Sequence, residues 1–324
     1  MNVLFKCDKS EKIGLGHYYR CLALSEVFKK KGHKCFFLGL KPGIKKKNNI
    51  SLRNQNDDIS FTKKFIKKNK IKIVIKDIYG LNYLWEKKIR KIVFLTVIDD
   101  LRKKKHFCNI YINYHYNFFQ KSHQKLLNKD CRKLIGLNFV IFRNFKLDKK
   151  KKKKNLSIFF YMGGADNNMK MLELIDKMND KKFDKYKKIF LLNKNHIKNK
   201  NLISKIRDLV NFKVFKNRIN NFHNILRSSN LVISSGGVTM YEQILLRSNP
   251  VIIPQNFNQI ETAKPLSKIK EIHLIQNVKK ELTYKNIHSY LFKRRKRKTL
   301  LNKKGKYLIY KNIISDFKKN LVKI

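Results

Sequence analysis

Acidic residues, proline, glycine and cysteine are all scarce in this chain. Its 324 residues include 22 Asp plus Glu against 77 Lys plus Arg, a net charge of +55, with 4 Pro and 12 Gly. The five cysteines are odd in number and form no Cys-x-x-Cys pair, which argues against a disulfide framework or a zinc site. No run approaches the roughly 18 apolar residues that span a bilayer, and residues 3–5 are too short for a signal-peptide core. We therefore expect reduced cysteines, no transmembrane segment and a cytoplasmic location.

The excess of positive charge suggests a polyanionic partner, because Lys and Arg neutralise phosphates. However, only 13 of the 77 cationic residues are Arg, and the lysines extend along the whole chain. Abundant Lys, Asn, Ile and Phe are what A- and T-rich codons encode, so we interpret the charge mainly as a compositional bias. We expect no specific nucleic-acid partner. A nonenzymatic polyanion-binding protein, with salt-sensitive binding, is the alternative from another class.

Length and hydrophobic pattern predict two α/β domains. At about 150 residues per domain, the chain is long enough for two domains with separate cores. Short apolar runs typical of buried parallel strands alternate with helical patterns, and this alternation predicts two doubly wound, Rossmann-like domains. The predicted strands lie at residues 2–7, 35–40, 71–75, 92–98, 156–161, 189–192, 231–233 and 251–253.

A run of six lysines at residues 149–154 interrupts this alternation and predicts a solvated linker. The expected organisation is an N-terminal domain at 1–148, a basic linker at 149–155, a C-terminal domain at 156–278 and a basic helical extension at 279–324. In that extension Leu300, Tyr307, Tyr310 and Ile314 recur at helical spacing and predict one largely apolar face.

Three glycine-bearing loops follow predicted strands and precede helices, at residues 13–17, 162–166 and 234–239. Free backbone N–H groups and the positive end of the helix dipole suit phosphate at such positions. The first loop lacks the third glycine of a dinucleotide fingerprint and has no Gly-Lys-Ser/Thr ending, so neither that cofactor site nor a P-loop fits. Three such loops facing a common cleft would form a nucleotide site.

The first loop places His17 in the opening turn of a helix. Helix-end polarity disfavours the imidazolium, so we expect a neutral ring that accepts a proton near pH 7. Asp8, at the end of the first strand, is a candidate to orient this ring or a water. The alternative is a histidine that caps its own helix and bonds to backbone.

In the third loop Ser235, Gly236 and Gly237 open a helix that carries Thr239 and Glu242. Residues three apart share a helical face, so the hydroxyl of Thr239 can meet phosphate while Glu242 reaches a ribose. The alternative is a Glu242 that only complements the helix dipole. An amide-rich loop at residues 254–259 suits sugar hydroxyls or acetamido groups.

Motifs for metal-dependent or acyl-transfer chemistry are absent from the sequence. There is no Asp-x-Asp at a strand end, no Gly-x-Ser-x-Gly and no His-rich cluster. We interpret Asp99 and Asp100 as strand-terminal or helix-capping residues, because adjacent carboxylates on a strand point in different directions.

Together these motifs resemble the UDP-2,4-diacetamido-2,4,6-trideoxy-β-L-altropyranose hydrolases of pseudaminic acid biosynthesis. That family is related to spore-coat polysaccharide proteins and, more distantly, to the UDP-N-acetylglucosamine transferase of peptidoglycan synthesis. The most specific match is Ile13-Gly14-Leu15-Gly16-His17 with residues 20–24. The other matches are collinear with it, at residues 77–80, 85–86, 99–101, 136, 142–143, 162–166, 235–242 and 258–259.

The resemblance implies a GT-B architecture, with two Rossmann-like domains facing a central cleft. His17 would be the general base for an attacking water, and UDP would leave a UDP-sugar substrate with inversion, without a metal or another cofactor. Thr239 and the amides of Gly236, Gly237 and Val238 would hold the diphosphate, and Glu242 the ribose. The remaining candidate substrate contacts are Asp8, Gly14, Gly16, Tyr79, Arg143, Gly163, Gly164, Ser235, Asn258 and Gln259.

Two points stay open. A GT-B glycosyltransferase would use the same nucleotide site, with His17 deprotonating an acceptor hydroxyl instead of water. The chain also departs from the family pattern at Lys76, where an apolar strand end is expected, and in the basic tail.

Overall fold

The structure is a computed structural model that describes residues 1–7, 16–44, 51–100, 104–116, 125–148, 156–163, 166, 169–217, 219–292 and 300–321. The described residues divide into two compact units. The first unit holds those up to Asn144 and those from Asn302 onward, and the second holds those from Phe145 to Leu301. The linker predicted at 149–155 lies outside the described residues.

The first unit is a six-stranded parallel sheet flanked by helices, in the strand order β2-β1-β3-β4-β5-β6. Its strands are β1 (Asn2–Cys7), β2 (Lys34–Leu38), β3 (Ile71–Asp77), β4 (Phe94–Ile98), β5 (Ile110–Asn113) and β6 (Arg132–Ile135). Its helices before the second unit are α1 (Gly16–Lys30), α2 (Leu52–Lys68) and α3 (Tyr83–Arg90).

The second unit is also a six-stranded parallel sheet, in the order β12-β11-β10-β7-β8-β9. Its strands are β7 (Ser157–Tyr161), β8 (Lys187–Leu192), β9 (Phe212–Lys216), β10 (Leu231–Ser234), β11 (Pro250–Ile252) and β12 (His273–Leu274). Its helices are α4 (Lys170–Met178), α5 (Lys194–Lys198), α6 (Lys200–Arg207), α7 (Phe222–Ser228), α8 (Val238–Leu246), α9 (Phe257–Lys268), α10 (Val278–Glu281) and α11 (Tyr284–Phe292).

Buried apolar runs explain why these segments form central strands. Val3, Leu4 and Phe5 of β1 are fully buried, as is expected for a parallel strand covered by helices on both faces. The strand order reverses between β1 and β3 in the first sheet and between β7 and β10 in the second. Such switch points are where open α/β sheets bind ligands, at the carboxyl ends of the strands. The prediction of two Rossmann-like units is confirmed.

The chain returns to the first unit in its last described helix, α12 (Gly305–Leu321), which packs on α1. Its buried positions are Gly305, Lys306, Ile309 and Ile313, whereas Tyr307 is 42% exposed. The apolar face predicted through Leu300 and Tyr307 is therefore wrong, because packing against α1 selects a different stripe of this helix. No described helix combines the length and apolarity needed to cross a membrane.

Lys76 at the end of β3 belongs to a buried ionic network, which explains a charged residue at an otherwise apolar strand end. Its Nζ lies 2.7 Å from Glu86 Oε1, and that same oxygen lies 2.9 Å from His106 Nδ1. His106 Nε2 in turn lies 2.8 Å from Asp99 Oδ2. Burial alone would raise the pKa of Glu86, but Lys76 and His106 lower it to about 2. Burial alone would lower the pKa of His106, but Glu86 and Asp99 raise it to about 9.

This network predicts a first unit that loses stability as the pH rises. A histidine pKa that folding raises from 6.5 to about 9 means that the native state holds the proton more tightly than the unfolded chain. The stabilisation is fully present below pH 6.5 and disappears as the pH passes through about 9. Denaturant unfolding followed by fluorescence of Trp85, the only tryptophan of the chain and buried in this unit, measures the effect.

The His106→Gln variant controls for the titration of the many lysines, because it carries the same lysines as the wild-type protein. The difference in unfolding free energy between the two chains should shrink across this pH range. Parallel pH profiles for the two chains would contradict the prediction.

Candidate functional site

His17 lies at the switch point of the first sheet, as the second residue of α1. Its Nδ1 atom is 2.6 Å from Oδ1 of Asp77, the last residue of β3, and the residue is only 8% exposed. The ring thus bonds to a carboxylate of the neighbouring strand instead of capping its own helix. Because an ionised carboxylate only accepts, we assign the proton to Nδ1, which leaves the lone pair on Nε2. Nε2 has no hydrogen-bond partner among the described residues.

Arg20, one turn further along α1, binds the same carboxylate. Its Nε and Nη2 atoms donate to the two oxygens of Asp77. Its Nη1 atom donates to Asp100 Oδ2 at 3.0 Å and to the hydroxyl of Tyr114 at 2.6 Å. Burial opposes ionisation of Asp77, but Arg20 and His17 hold its pKa below the usual value. The side chain that orients His17 is therefore Asp77 in its ionised form at neutral pH.

Tyr79 closes this cluster. Its hydroxyl donates to Asp100, and its ring packs edge-on against His17 with centroids 4.5 Å apart. Burial and the Asp100 carboxylate raise the pKa of this phenol, so it stays protonated. Burial opposes ionisation of Asp100 as well, but Arg20 and His17 lower its pKa. Tyr79, predicted as a substrate contact, thus also supports the ring that it touches.

The other predicted residues of the first unit lie around α1. The guanidinium of Arg143 is 5.6 Å from the ring centroid of Tyr19. Gly16 is the first residue of α1, and among the described residues a Cβ built on it meets no other side chain or distant backbone within 4 Å. Asp8, Gly14 and Gly164 lie outside the described residues.

At the switch point of the second sheet, the loops that follow β7 and β10 approach closely. Gly163 adopts φ +80°, and a Cβ on it would lie 3.2 Å from Ser235 Oγ. Glycine is favoured there both by the left-handed backbone and by the close approach. The loop after β11 joins them, because Gln255 Nε2 donates to the carbonyl of Met162 at 2.8 Å.

Gln259 fixes the geometry of these loops from the first turn of α9. Its Oε1 atom accepts from the backbone N–H groups of Gly236 at 3.1 Å and of Gln255 at 3.0 Å. A Cβ on Gly236 would lie only 3.0 Å from Gln259 Cβ. The Gly236 amide, which the resemblance assigned to a diphosphate, therefore has a protein partner, and Gln259 supports the loop. Asn258 beside it is exposed.

The N-terminus of α8 is open among the described residues. Gly237 occupies the N-cap position, and no described side chain caps the helix there. The first-turn N–H groups of Val238 and Thr239 have no acceptor within an α-helix, because such groups precede the first helical bonds. An anion is a suitable partner for this helix end.

Glu242 lies one turn beyond Val238 on α8 and is completely buried. Its Oε1 atom is 3.0 Å from His223 Nε2, and the ring of His223 stacks on Phe145 with centroids 4.0 Å apart. Glu242 is therefore not an exposed residue at the helix end, and its contact with a ribose stays a prediction.

Sequence reasoning missed the partners of His17 and Glu242. Asp77 and Arg20 belong to motifs that match the family, but neither residue was assigned a role from the sequence. No feature of the sequence indicated His223. Asp99 and Asp100 are strand-terminal, as predicted. Their side chains point in different directions, Asp99 to His106 and Asp100 to Arg20. The helical spacing between His17 and Arg20 was the one signal that could have joined two of these residues.

Two successive Rossmann-like units, each with six parallel strands, define a GT-B-like fold. MurG of Acinetobacter baumannii superposes with a TM-score of 0.65 at 11% identity, over 97% of this chain and 99% of that chain. UDP-GlcNAc 2-epimerase of Methanocaldococcus jannaschii superposes with a TM-score of 0.57 at 13% identity, over 97% of this chain and 100% of that chain. The predicted fold class is thereby confirmed.

In sequence, the chain is similar to a UDP-2,4-diacetamido-2,4,6-trideoxy-β-L-altropyranose hydrolase of Campylobacter jejuni. The two are 25% identical over 273 residues, which is 83% of this chain and 97% of that protein. None of the known protein-family models matches the chain.

Proposed function

We propose that this protein is an enzyme that hydrolyses a UDP-activated sugar at the anomeric carbon, releasing UDP and the free sugar. The observation that carries the proposal is the geometry of His17, whose ring is fixed through Nδ1 by Asp77 at a switch point. The similarity to the Campylobacter jejuni hydrolase supports the specific substrate, a UDP-2,4-diacetamido-2,4,6-trideoxyhexose used in pseudaminic acid biosynthesis.

In the proposed reaction Nε2 of His17 accepts a proton from a water as that water attacks the anomeric carbon. The bond to UDP breaks on the opposite face, so one displacement inverts the configuration. Asp77 keeps the proton on Nδ1 before the reaction and stabilises the imidazolium that forms during it. Water is the nucleophile, and the chemistry needs no metal or other cofactor, since UDP is a good leaving group once its charge is stabilised.

The second unit would bind the UDP. The first-turn amides of Gly237, Val238 and Thr239, with the Thr239 hydroxyl, suit the diphosphate because they lie at the positive end of α8. Glu242, steadied by His223, is placed one turn deeper and would accept hydrogen bonds from the ribose hydroxyls. Ser235 and Gly163 shape the same loops.

Further contacts belong to the proposal. Tyr79 and Arg143 in the first unit, and Asn258 in the second, are the side chains proposed to meet the sugar or its phosphates. The glycines of the first loop, including Gly16, would let the substrate approach the backbone.

The decisive experiment supplies UDP-2,4-diacetamido-2,4,6-trideoxy-β-L-altropyranose without any acceptor. We expect UDP and free sugar in equal amounts, and proton NMR of the anomeric centre should show inversion in the first product formed. UDP-GlcNAc serves as the comparison substrate, and faster release from the diacetamido sugar supports the specific assignment.

Two outcomes would contradict hydrolysis. Binding of the UDP-sugar with turnover only after an acceptor is added would indicate a glycosyltransferase. Salt-sensitive binding of nucleic acid without affinity for UDP would indicate the polyanion-binding alternative, with log K falling by about 0.9 per phosphate contact for each tenfold rise in salt.

A further inference from the structure

Three carboxamide side chains connect the loops that follow four consecutive strands of the second sheet, β11, β10, β7 and β8. Gln259 of α9 accepts from Gly236 after β10, and Gln255 after β11 donates to the loop after β7. Asn193 after β8 donates through Nδ2 to the carbonyl oxygen of Gly163, also after β7, at 3.2 Å. These three side chains are called the carboxamide network below.

We infer that Gln259, Gln255 and Asn193 are positioning residues for UDP binding. Without touching the ligand, they hold the loop before α8 in the conformation that presents the first-turn amides of this helix to the diphosphate. The inference rests on the proposed function. It gives Gln255 and Gln259 a different role from the sugar contact predicted for their loop.

The orientation of the Gln259 side chain is fixed by its contacts. Its Oε1 atom accepts two backbone N–H groups, from Gly236 at 3.1 Å and from Gln255 at 3.0 Å. Only the oxygen of a carboxamide accepts, so the group cannot turn round without losing both hydrogen bonds. The backbone N–H of Gln259 is held as well, because it donates to the side chain of Asn256, the N-cap of α9, at 3.0 Å. Gln259 is thus a fixed point to which the loop before α8 is attached.

The loop before α8 requires such a restraint because it contains two successive glycines. Gly236 and Gly237 have more backbone freedom than other residues, so their ordering costs more conformational entropy. Gly237 is the N-cap of α8, and no described side chain caps the helix there. The bond from Gly236 to Gln259 therefore orders the loop in the free protein. A ligand that binds a loop already ordered gains affinity, because no binding free energy is used to order it.

The network is neutral, which suits a site for an anion. A carboxylate at position 259 would also accept both N–H groups, but its negative charge would repel a diphosphate at the adjacent end of α8. The N–H of Gly236 is occupied by the network, whereas those of Val238 and Thr239 precede the first helical bonds. The backbone donors of this loop thus divide into one that fixes the loop and others that are left for the phosphates.

Hydrogen exchange of the Gly236 amide tests the network directly. The chain has 12 glycines, so isotope labelling of glycine alone gives an NMR spectrum with few signals, and Gly236→Ala identifies the signal of Gly236. We expect this amide to be protected in the free protein and equally protected with UDP bound. Gln259→Met removes the acceptor and should raise the exchange rate by about tenfold. Gln259→Glu keeps an acceptor and should restore the protection.

Calorimetric titration with UDP tests the positioning role. Gln259→Met should raise the Kd of UDP by about tenfold, because the loop must then be ordered on binding. In turnover the effect should fall on KM and not on kcat, since His17 is unchanged. Gln276→Met alters an exposed glutamine of the same unit and is the matched control, with an unchanged Kd expected. Near-ultraviolet circular dichroism establishes that each variant is folded.

Protection of Gly236 that arises only with UDP bound would overturn the inference, because that amide would then bind the diphosphate. An unchanged Kd of UDP in folded Gln259→Met would overturn it as well, and weaker binding of the UDP-sugar by that variant would then assign Gln259 to the sugar. If Gln259→Met does not fold, Gln255→Met replaces it and should also raise the Kd of UDP, and an unchanged Kd would count against the inference.

Neither measurement depends on turnover. A protein that binds UDP without hydrolysing a UDP-sugar would refute the proposed function alone, while hydrogen exchange and the Kd of UDP still decide the inference.

Discussion

Replacing His17 by glutamine should lower kcat for UDP-sugar hydrolysis by about 10²–10⁴-fold, the usual contribution of a positioned general base. Glutamine can still donate to Asp77, so the local fold should persist, but its amide nitrogen cannot accept a proton at neutral pH. Affinity for UDP should hardly change, because His17 is not among the groups proposed to bind it. Steady-state release of UDP and calorimetric titration of UDP measure the two effects separately.

His33→Gln is the matched control. His33 belongs to the same unit, directly precedes β2 and hydrogen-bonds to Tyr310 of α12. That variant should retain wild-type turnover. Near-normal turnover in His17→Gln would remove His17 from the proposed mechanism, and a parallel loss of UDP affinity would point to a damaged fold instead of a missing base.

Gly305→Ala should destabilise the first unit by about 3 kcal/mol, at the upper end of the usual cost of overpacking. A Cβ at this position would overlap the carbonyl oxygen of Val140 and lie 3.0 Å from that of Asn138. Both obstacles are backbone atoms, so no side-chain rotation relieves them. Either α12 moves away from its partners or the turn at Leu137–Phe139 shifts. Denaturant unfolding followed by Trp85 fluorescence measures the loss, because that tryptophan reports on the first unit.

Gly39→Ala is the comparison, because its Cβ would lie at an ordinary 3.9 Å from the carbonyl oxygen of Cys7. Its effect should stay near the roughly 1 kcal/mol typical of point substitutions. Equal destabilisation by the two substitutions would mean that the contact at Gly305 relaxes without loss.

The central strands were predictable because burial on both faces demands continuous apolar runs. Every predicted strand corresponds to a strand of the structure, but β5, β6, β9 and β12 were missed. Three of the missed strands, β6, β9 and β12, lie at an edge of their sheets, and β6 and β9 carry lysine, at Lys133 and Lys213 for example. Only one side of an edge strand pairs within the sheet, so its sequence can stay polar.

The site was predictable only where its signal was local. His17 was identified from a glycine loop and a helix start, which are close in sequence. Its orienting carboxylate was expected at Asp8, but the structure pairs the ring with Asp77, 60 residues away. Gln259 likewise accepts a hydrogen bond from the amide of Gly236, 23 residues earlier in the chain. This contact depends on how two strand-end loops meet. Such pairings arise from tertiary packing, and no periodic pattern in the sequence indicates them.

The return of α12 to the first unit has a consequence for biosynthesis. The ribosome completes the second unit before it makes the helix that covers α1, so the first unit spends most of translation with that helix face bare. Domains generally fold as units and in the order of synthesis, but here the earlier unit must wait for the last described helix. The amino-terminal half is therefore stabilised in part by the carboxyl end of the chain, and we expect that removal of α12 would destabilise the unit that was made first.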